Sequence, residues 1–332
     1  QLNIPRDFFY GENQVLIPRP NVIERSAGGE GSLQAAADLI RAAENPVIVS
    51  GGGVVQSEGG VEAVKALAEM LGCPVASTYL HNDSFPSDHK LWAGPLGYLG
   101  SKAAMHAVSE ADLVICLGTR LGPFGTNPQY GFDYWPRRAA IIQVELDPRR
   151  VGRVKPFKQG DVGICGDVTA AAKSIVARLS AGAAPTCQRT VEARAGRLAE
   201  HRSSWERELN EMMEANQAAA EVEPGRMVPR KVLRELENAM PEDAMVSTDI
   251  GNSCSVANSF TRFRSPRSFF AAMTFGNCGY AFPAAMGAKV ARPERPSVAY
   301  VGDGAWGMSL SETLTAVRES IPTTAVVFNN RQ

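Results

Sequence analysis

Short, almost wholly apolar runs alternate along this chain with stretches whose apolar residues recur every three to four positions. The runs at 46–50 (PVIVS), 73–78 (CPVAST), 111–117 (ADLVICL) and 140–144 (AIIQV) read as strands, and the stretches at 33–43 and 60–71 as helices. Apolar runs without polar alternation belong to strands covered on both faces, and their alternation with helices predicts a parallel sheet with right-handed crossovers. A second set follows, with strands at 246–249, 297–301 (SVAYV) and 323–328 (TTAVVF) and helices at 283–290 and 309–320. Between the sets lies an Ala/Pro segment and then a charged, helix-like stretch from 191 to 213. At the other end, residues 2–7 read as a final strand, followed by a proline-containing connector. The expected fold class is therefore α/β, with two doubly wound parallel-sheet domains. The expected layout is a tail and connector at 1–25, a central α/β domain at 26–180, a linker with a charged helix at 181–225, and a second α/β domain at 226–332.

The end of the second set carries the densest chemistry. The strand at 297–301 runs into Gly302, Asp303 and Gly304; residues 305–328 follow, and the next strand ends at Asn329 and Asn330. Ligands of open α/β sheets bind in the crevice at the carboxyl ends of the strands. This pattern places a carboxylate and an amide oxygen there, the ligand types of a hard cation such as Mg²⁺, which takes one or two carboxylates and completes its shell with phosphate and water. A surface turn with an unrelated Asn pair is the alternative. Two further turns point the same way. Residues 246–248 lead into Asp249, Ile250, Gly251 and Asn252. Gly276, Asn277, Cys278, Gly279 and Tyr280 open a small-residue helix. Glycines let the backbone approach a ligand, and helix N-termini offer N–H groups to phosphate. Helix–sheet packing would explain the alanines of this helix but not three such turns in series.

Composition narrows the class. Hydrophobic residues make up 44 % and charged residues 21 %, enough for large cores, and 332 residues exceed one typical core. A net charge of −1 without a basic block argues against nucleic acid, and no run of eighteen apolar residues suggests a membrane span. Six cysteines are scattered without C-x-x-C and without metal-like pairing with the four histidines, as expected of free thiols in a reducing cytoplasm. In the first domain, Gly51, Gly52 and Gly53 follow a strand. A tight strand–helix turn is favoured over a nucleotide cradle, because the G-x-G-x-x-G spacing and the ribose-binding acid are absent. His81, His89 and His106 read as surface residues in or near a loop and helix, and Arg120 as a solvated surface residue.

The series D-x-G, G-x-x-G-Y-A-x-P-A-A-x-G-A and GDG…NN resembles, in this order, the thiamine diphosphate (ThDP) enzymes of the acetolactate synthase and pyruvate oxidase type. The resemblance covers nearly the whole chain. It implies that Asp303, the side chain of Asn330 and the backbone carbonyl of Gln332 ligate Mg²⁺. It also implies that Gly251, Asn252, Gly279, Gly302, Gly304 and Ala305 lie at the cofactor. Residue 278 would prop the folded cofactor, and here Cys278 stands where the family usually has a bulky Met, Leu or Ile. The central domain binds FAD in some members and nothing in many. The family's activating Glu belongs to an N-terminal pyrimidine-binding domain. No catalytic residue is therefore expected in this chain, which is read as truncated at both ends and inactive alone; a second polypeptide supplying that Glu is the other possibility. The resemblance further implies a homodimer or homotetramer.

Within the family, residues 3–12 (NIPRDFFYGE), 118–126 (GTRLGPFGT), 128–131 (PQYG), 162–167 (VGICGD) and Cys278 resemble the acetyltransferase branch that acts on sulfoacetaldehyde. That implies sulfoacetaldehyde and phosphate as substrates and acetyl phosphate and sulfite as products. An acetolactate synthase-like carboligase or decarboxylase shares every general motif, and a non-catalytic nucleotide-binding module is a third reading.

Overall fold

A computed structural model describes residues 3–12, 14–221 and 227–330. Its first unit is a six-stranded parallel sheet. In chain order its elements are α1 (Glu30–Ala42), β1 (Pro46–Ser50), α2 (Gly52–Gln56), α3 (Gly60–Leu71), β2 (Val75–Ser77), β3 (Trp92–Pro95), α4 (Lys102–Ser109), β4 (Leu113–Leu117), β5 (Ala140–Glu145), β6 (Val162–Cys165) and α5 (Val168–Ser180). The strand order is β3-β2-β1-β4-β5-β6. Every residue of β1 and β4 is buried, as the apolar runs predict. One face packs Ile48, Ile115 and Ile142 against Leu33, Leu67 and Ile175 of the helices. The other packs Val47, Val49 and Val114 against Met105 and Val108 of α4. Ser101 and Asp167 start α4 and α5 by accepting first-turn N–H bonds, the usual N-cap arrangement. Trp92–Pro95 and Val162–Cys165 are strands that periodicity alone did not mark, because runs this short carry little pattern.

The charged stretch forms α6 (Val191–Glu221), longer than the periodicity implied. It is more than a spacer. Leu198 enters the core of the first unit, while Trp205 and Leu209 pack with Leu233, Phe260 and Phe269 of the second. At its start Arg194 is 2 % exposed. Its guanidinium donates to the carbonyls of Glu44, Cys187, Leu71 and Gly72 at 2.8–3.2 Å, so the cation caps the orphan carbonyls of Leu71 and Gly72 at the end of α3 and ties them to the segments after α1 and before α6.

The second unit comprises α7 (Pro229–Ala239), β7 (Met245–Thr248), α8 (Asn252–Phe260), β8 (Phe269–Ala271), α9 (Ala281–Ala291), β9 (Ser297–Gly302), α10 (Asp303–Ser309), α11 (Glu312–Arg318) and β10 (Thr324–Phe328). Its parallel sheet has the order β10-β9-β7-β8. A buried polar seam joins it to the first unit. Asn258 on α8 accepts from Leu80 N at 3.2 Å and donates to the carbonyls of Leu96 and Tyr98, both at 3.3 Å. Asn82 donates to Asn258 O and Thr261 O. Asp83 Oδ2 accepts from Ser268 N and Phe269 N at 3.0 and 3.2 Å. Parallel sheets flanked by helices thus make up both units, the expected α/β class.

Two local expectations are corrected. Residues 3–5 are irregular and Arg6–Phe9 form one exposed 3-10 turn rather than a strand. No strand among the described residues lies alongside, and a strand without a ladder partner leaves its N–H and C=O groups unpaired. The helix expected over 309–320 is the shorter α11, and a further helix, α10, precedes it. Asp303 begins α10 directly at the end of β9, and the chain breaks at Leu310 and Ser311 before α11. The small and polar composition of 303–309 had masked its helical character. No helix among the described residues is long and apolar enough to cross a membrane.

Candidate cofactor site

Strand register brings the signature residues to one edge. Phe328 of β10 pairs with Gly302 of β9. Asp303 and the Asn329–Asn330 pair therefore follow neighbouring parallel strands at the same level. Thr248 of β7 pairs with Tyr300 of β9, which delivers Asp249, Ile250, Gly251 and Asn252 to that edge as well. Asp303 is half-buried, while Gly304, Asn329, Asn330, Gly251 and Asn252 are exposed and Ala305 is buried. Gln332 lies outside the described residues.

Asp249 organises the third turn. Its Oδ1 accepts from Tyr280 N at 2.8 Å and Ala281 N at 3.3 Å, tying the Gly276–Tyr280 turn to the end of β7 and holding the first residues of α9. The residue is 1 % exposed and its Oδ2 is buried without a hydrogen bond. Burial pushes its carboxyl above the usual range, against the backbone N–H bonds that pull it down. The D-x-G-N motif alone assigns Asp249 no role. The available signal was an acid placed two residues before Gly251 at the end of an apolar run. Cys278 is exposed and its thiol points to Ile250 O at 3.8 Å. Gly279 has φ +78°, and a Cβ there would lie 3.0 Å from Met308 Cβ on α10. The Gly276–Tyr280 turn therefore meets both the turn after β7 and helix α10.

Room is the other requirement for a diphosphate. A Cβ placed at Gly251, Gly276, Gly302 or Gly304 meets nothing within 4 Å, so these glycines border open space where a ligand can reach the backbone. A half-buried carboxylate, amide oxygens at the same level and this open edge fit the diphosphate–metal half of a ThDP site: the oxygen donors suit Mg²⁺.

A cavity of about 960 Å³ lies at the carboxyl ends of the first unit's strands, lined by Gly52, His81, Gly118, Arg120, Glu145 and Asp147 among others, with Ala271, Met273 and Thr274 of the second unit on its wall. Here the glycines serve packing. A Cβ at Gly51 would lie 2.6 Å from Gly118 O, and one at Gly53 2.7 Å from Gly118 Cα, the close approach of a tight strand–helix turn. Arg120 is exposed. His81 departs from the surface reading: its ring sits over Gly52, and burial, reinforced by Arg120, pulls it down to about 4. His106 and His201, far apart in sequence, stack with ring centroids 4.9 Å apart, which no local spacing reveals. All six cysteines are free thiols.

Comparison with known proteins gives concordant matches. Residues 33–175 match the description "Thiamine pyrophosphate enzyme, central domain", and residues 249–332 match "Thiamine pyrophosphate enzyme, C-terminal TPP binding domain". Over 340 residues the chain is 56 % identical to a sulfoacetaldehyde acetyltransferase of Castellaniella defragrans, covering 100 % of this chain and 56 % of that protein. Identity to the sulfoacetaldehyde acetyltransferase of Alcaligenes xylosoxydans xylosoxydans is 55 % over 344 residues, with the same coverage. An acetolactate synthase of Mycobacterium bovis is 31 % identical over 338 residues, covering 99 % of this chain and 51 % of that protein. The chain thus spans just over half the length of the curated relatives it matches.

Proposed function

Because this chain belongs to the thiamine pyrophosphate enzymes, with both the central and the cofactor-binding domain matched, we propose that it forms the central and diphosphate-holding parts of a ThDP- and Mg²⁺-dependent sulfoacetaldehyde acetyltransferase. The reaction is conversion of sulfoacetaldehyde and phosphate to acetyl phosphate and sulfite. The observation that carries this choice is the much closer likeness to the two acetyltransferases than to the acetolactate synthase.

ThDP, when bound, supplies a thiazolium carbon that adds to a carbonyl and an electron sink behind it. The residues of this chain hold and orient. Asp303 supplies the carboxylate, Asn330 the amide oxygen and Gln332 a carbonyl for Mg²⁺. Gly302, Gly304 and Ala305 bring backbone to the diphosphate beside Gly251 and Asn252. Asp249 fixes the turn bearing Cys278 and Gly279 through its bonds to Tyr280 N and Ala281 N. Cys278 supports the cofactor with a smaller, polarizable side chain than the family usually places there. We take the layout to be a connector at 1–25, a central domain at 26–180, a linking helix segment at 181–225 and the diphosphate domain from 226. The assembly is a homodimer or homotetramer, and the scattered free thiols fit the cytoplasm.

The test is an assay of the protein carrying this chain with ThDP, Mg²⁺, sulfoacetaldehyde and phosphate, following sulfite and acetyl phosphate, beside a pyruvate assay for acetolactate. Sulfite release that requires phosphate and metal and is lost in Asp303→Ala is the expected result. Acetolactate without sulfite would replace the proposal with the carboligase reading.

A further inference from the structure

Helices α4 and α6 bring together three ligand-type side chains that the sequence keeps apart. His106 lies on α4 and Glu110 is its C-cap, four residues on, so both side chains leave one face one turn apart. His201 arrives from α6, separated from Glu110 by 91 positions. Its Nε2 is 2.8 Å from Glu110 Oε1. Its ring stacks on that of His106, with 4.9 Å between centroids and 13° between planes. One ring nitrogen from each histidine and one carboxylate oxygen all lie within 4.8 Å of one another. Phe132 packs on His106 at 5.0 Å between centroids, limiting the motion of that ring. The His201 and Glu110 side chains keep 24 % and 36 % of their surface exposed, so an ion reaches them from solvent. A crevice of about 10 Å³, room for roughly one water, opens beside Glu110 and His201, with Arg194 and Arg197 rather than His106 on its wall.

We propose that His106, Glu110 and His201 form a site for a divalent transition metal of the Zn²⁺ type, which pins α6 to α4. Two imidazoles and one carboxylate are a three-ligand set that leaves a fourth tetrahedral position for water. Imidazole nitrogen favours Zn²⁺ and its transition-metal neighbours over Mg²⁺ and Ca²⁺, which take all-oxygen shells. Ion pairs account for Glu110 with His201 and for Arg197 Nε at 3.4 Å from Glu110 Oε2, and ring stacking for His106 on His201; the convergence of two ring nitrogens and a carboxylate oxygen within 4.8 Å is what points to an ion. With metal bound, Glu110 turns from Arg197 to the ion and one imidazole tilts out of the stack, because the in-plane lone pairs of rings only 13° from parallel do not converge on one point. The ion, although it keeps a water ligand, also braces the fold: α6 carries Trp205 and Leu209 into the core shared with the second unit, so fixing α6 on α4 fixes the seam between the two sheets.

The experiment is calorimetric titration of the protein with ZnCl₂ after EDTA treatment, with the cofactor site first saturated by Mg²⁺ and ThDP. One Zn²⁺ per chain is expected. Affinity should fall at least about 100-fold in His106→Ala and in His201→Ala, since even residues that only support metal ligands are worth about 10- to 100-fold. Binding should be unchanged in Asp303→Ala, which separates this site from the cofactor metal. Circular dichroism of the metal-free variants checks that they fold. If either does not, Co²⁺ bound to the unmodified protein decides, with nitrogen-ligated tetrahedral absorption that Zn²⁺ abolishes expected. Absence of saturable Zn²⁺ binding, binding undiminished in both histidine variants, or Co²⁺ absorption of an all-oxygen octahedral type would each overturn the proposal.

Discussion

The two sheets use the same strand–glycine–helix grammar to opposite ends. In the six-stranded sheet, Gly51, Gly53 and Gly118 lie backbone against backbone, and a Cβ at any of them would come within 3 Å of another atom. In the four-stranded sheet, Gly251, Gly276, Gly302 and Gly304 face open space. Strand burial follows the same division: β4 is buried at every position, whereas no position of β10 is more than half-buried and two are exposed. A glycine-rich turn therefore announces a ligand only where the chain itself does not fill the room beside it. Elsewhere it marks close packing, and the sequence pattern of the two cases is much alike.

Substitution at the glycines tests this contrast with the largest effect. Gly118 has φ +61°, and its Cβ would lie 2.7 Å from Val54 N and 2.8 Å from Gly53 Cα. Gly118→Ala combines left-handed strain with overpacking and should cost about 2–4 kcal/mol, read as a lower urea midpoint at unchanged m-value. Gly304→Ala should leave stability within about 1 kcal/mol, on the favourable side because it lies in α10, while weakening ThDP retention. Equal losses of stability in both variants would break the comparison.

The seam between the sheets gives the next effect. Asp83 is 2 % exposed and Oδ2 holds Ser268 N and Phe269 N. Asp83→Ala orphans two buried donors and should cost about 1–3 kcal/mol. Burial, opposed by these N–H bonds, lifts the carboxyl to about 6. The raised folded-state value means that folding favours the protonated form. The associated stability is fully present below the unfolded value near 4 and is lost as pH rises through about 6. Thermal melts from pH 4 to pH 7 should show this decline in the unmodified protein and a flatter profile in Asp83→Asn. Parallel profiles would show that the carboxyl is ionised throughout.

The sequence disclosed what depends on local pattern. Apolar runs such as 46–50 and 113–117 can only be strands covered on both faces, so the α/β class was legible. So was the GDG…NN edge, because adjacent parallel strands of matched length bring Asp303 and Asn330 level. Long-range and compositional features were hidden. Residues 303–309 form a helix although rich in Gly, since strand β9 delivers them already at the start of a turn. His106 and His201 meet only because α6 folds back on α4. Asp249 was visible as a letter in a motif, yet its work, holding Tyr280 N and Ala281 N, depends on where α9 begins in space.

The smallest effect lies on the open side of the second unit. Leu314 and Val317 on α11 are 76 % and 80 % exposed, while Phe282 and Met286 of α9 are buried against Ala299 and Val301. At about 25 cal/mol per Å² of buried apolar surface, side chains that bury almost nothing contribute almost nothing. Leu314→Ser and Val317→Ser should therefore leave the unfolding free energy of the 332-residue chain, read by urea titration, within about 0.5 kcal/mol of the unmodified chain. Phe282→Ala, by contrast, should lower it by about 3–5 kcal/mol. A loss above about 1 kcal/mol in the serine variants would mean that α11 packs in solution more tightly than its exposed face implies, and that the contrast between a closed first unit and an open second one is smaller than strand burial indicates.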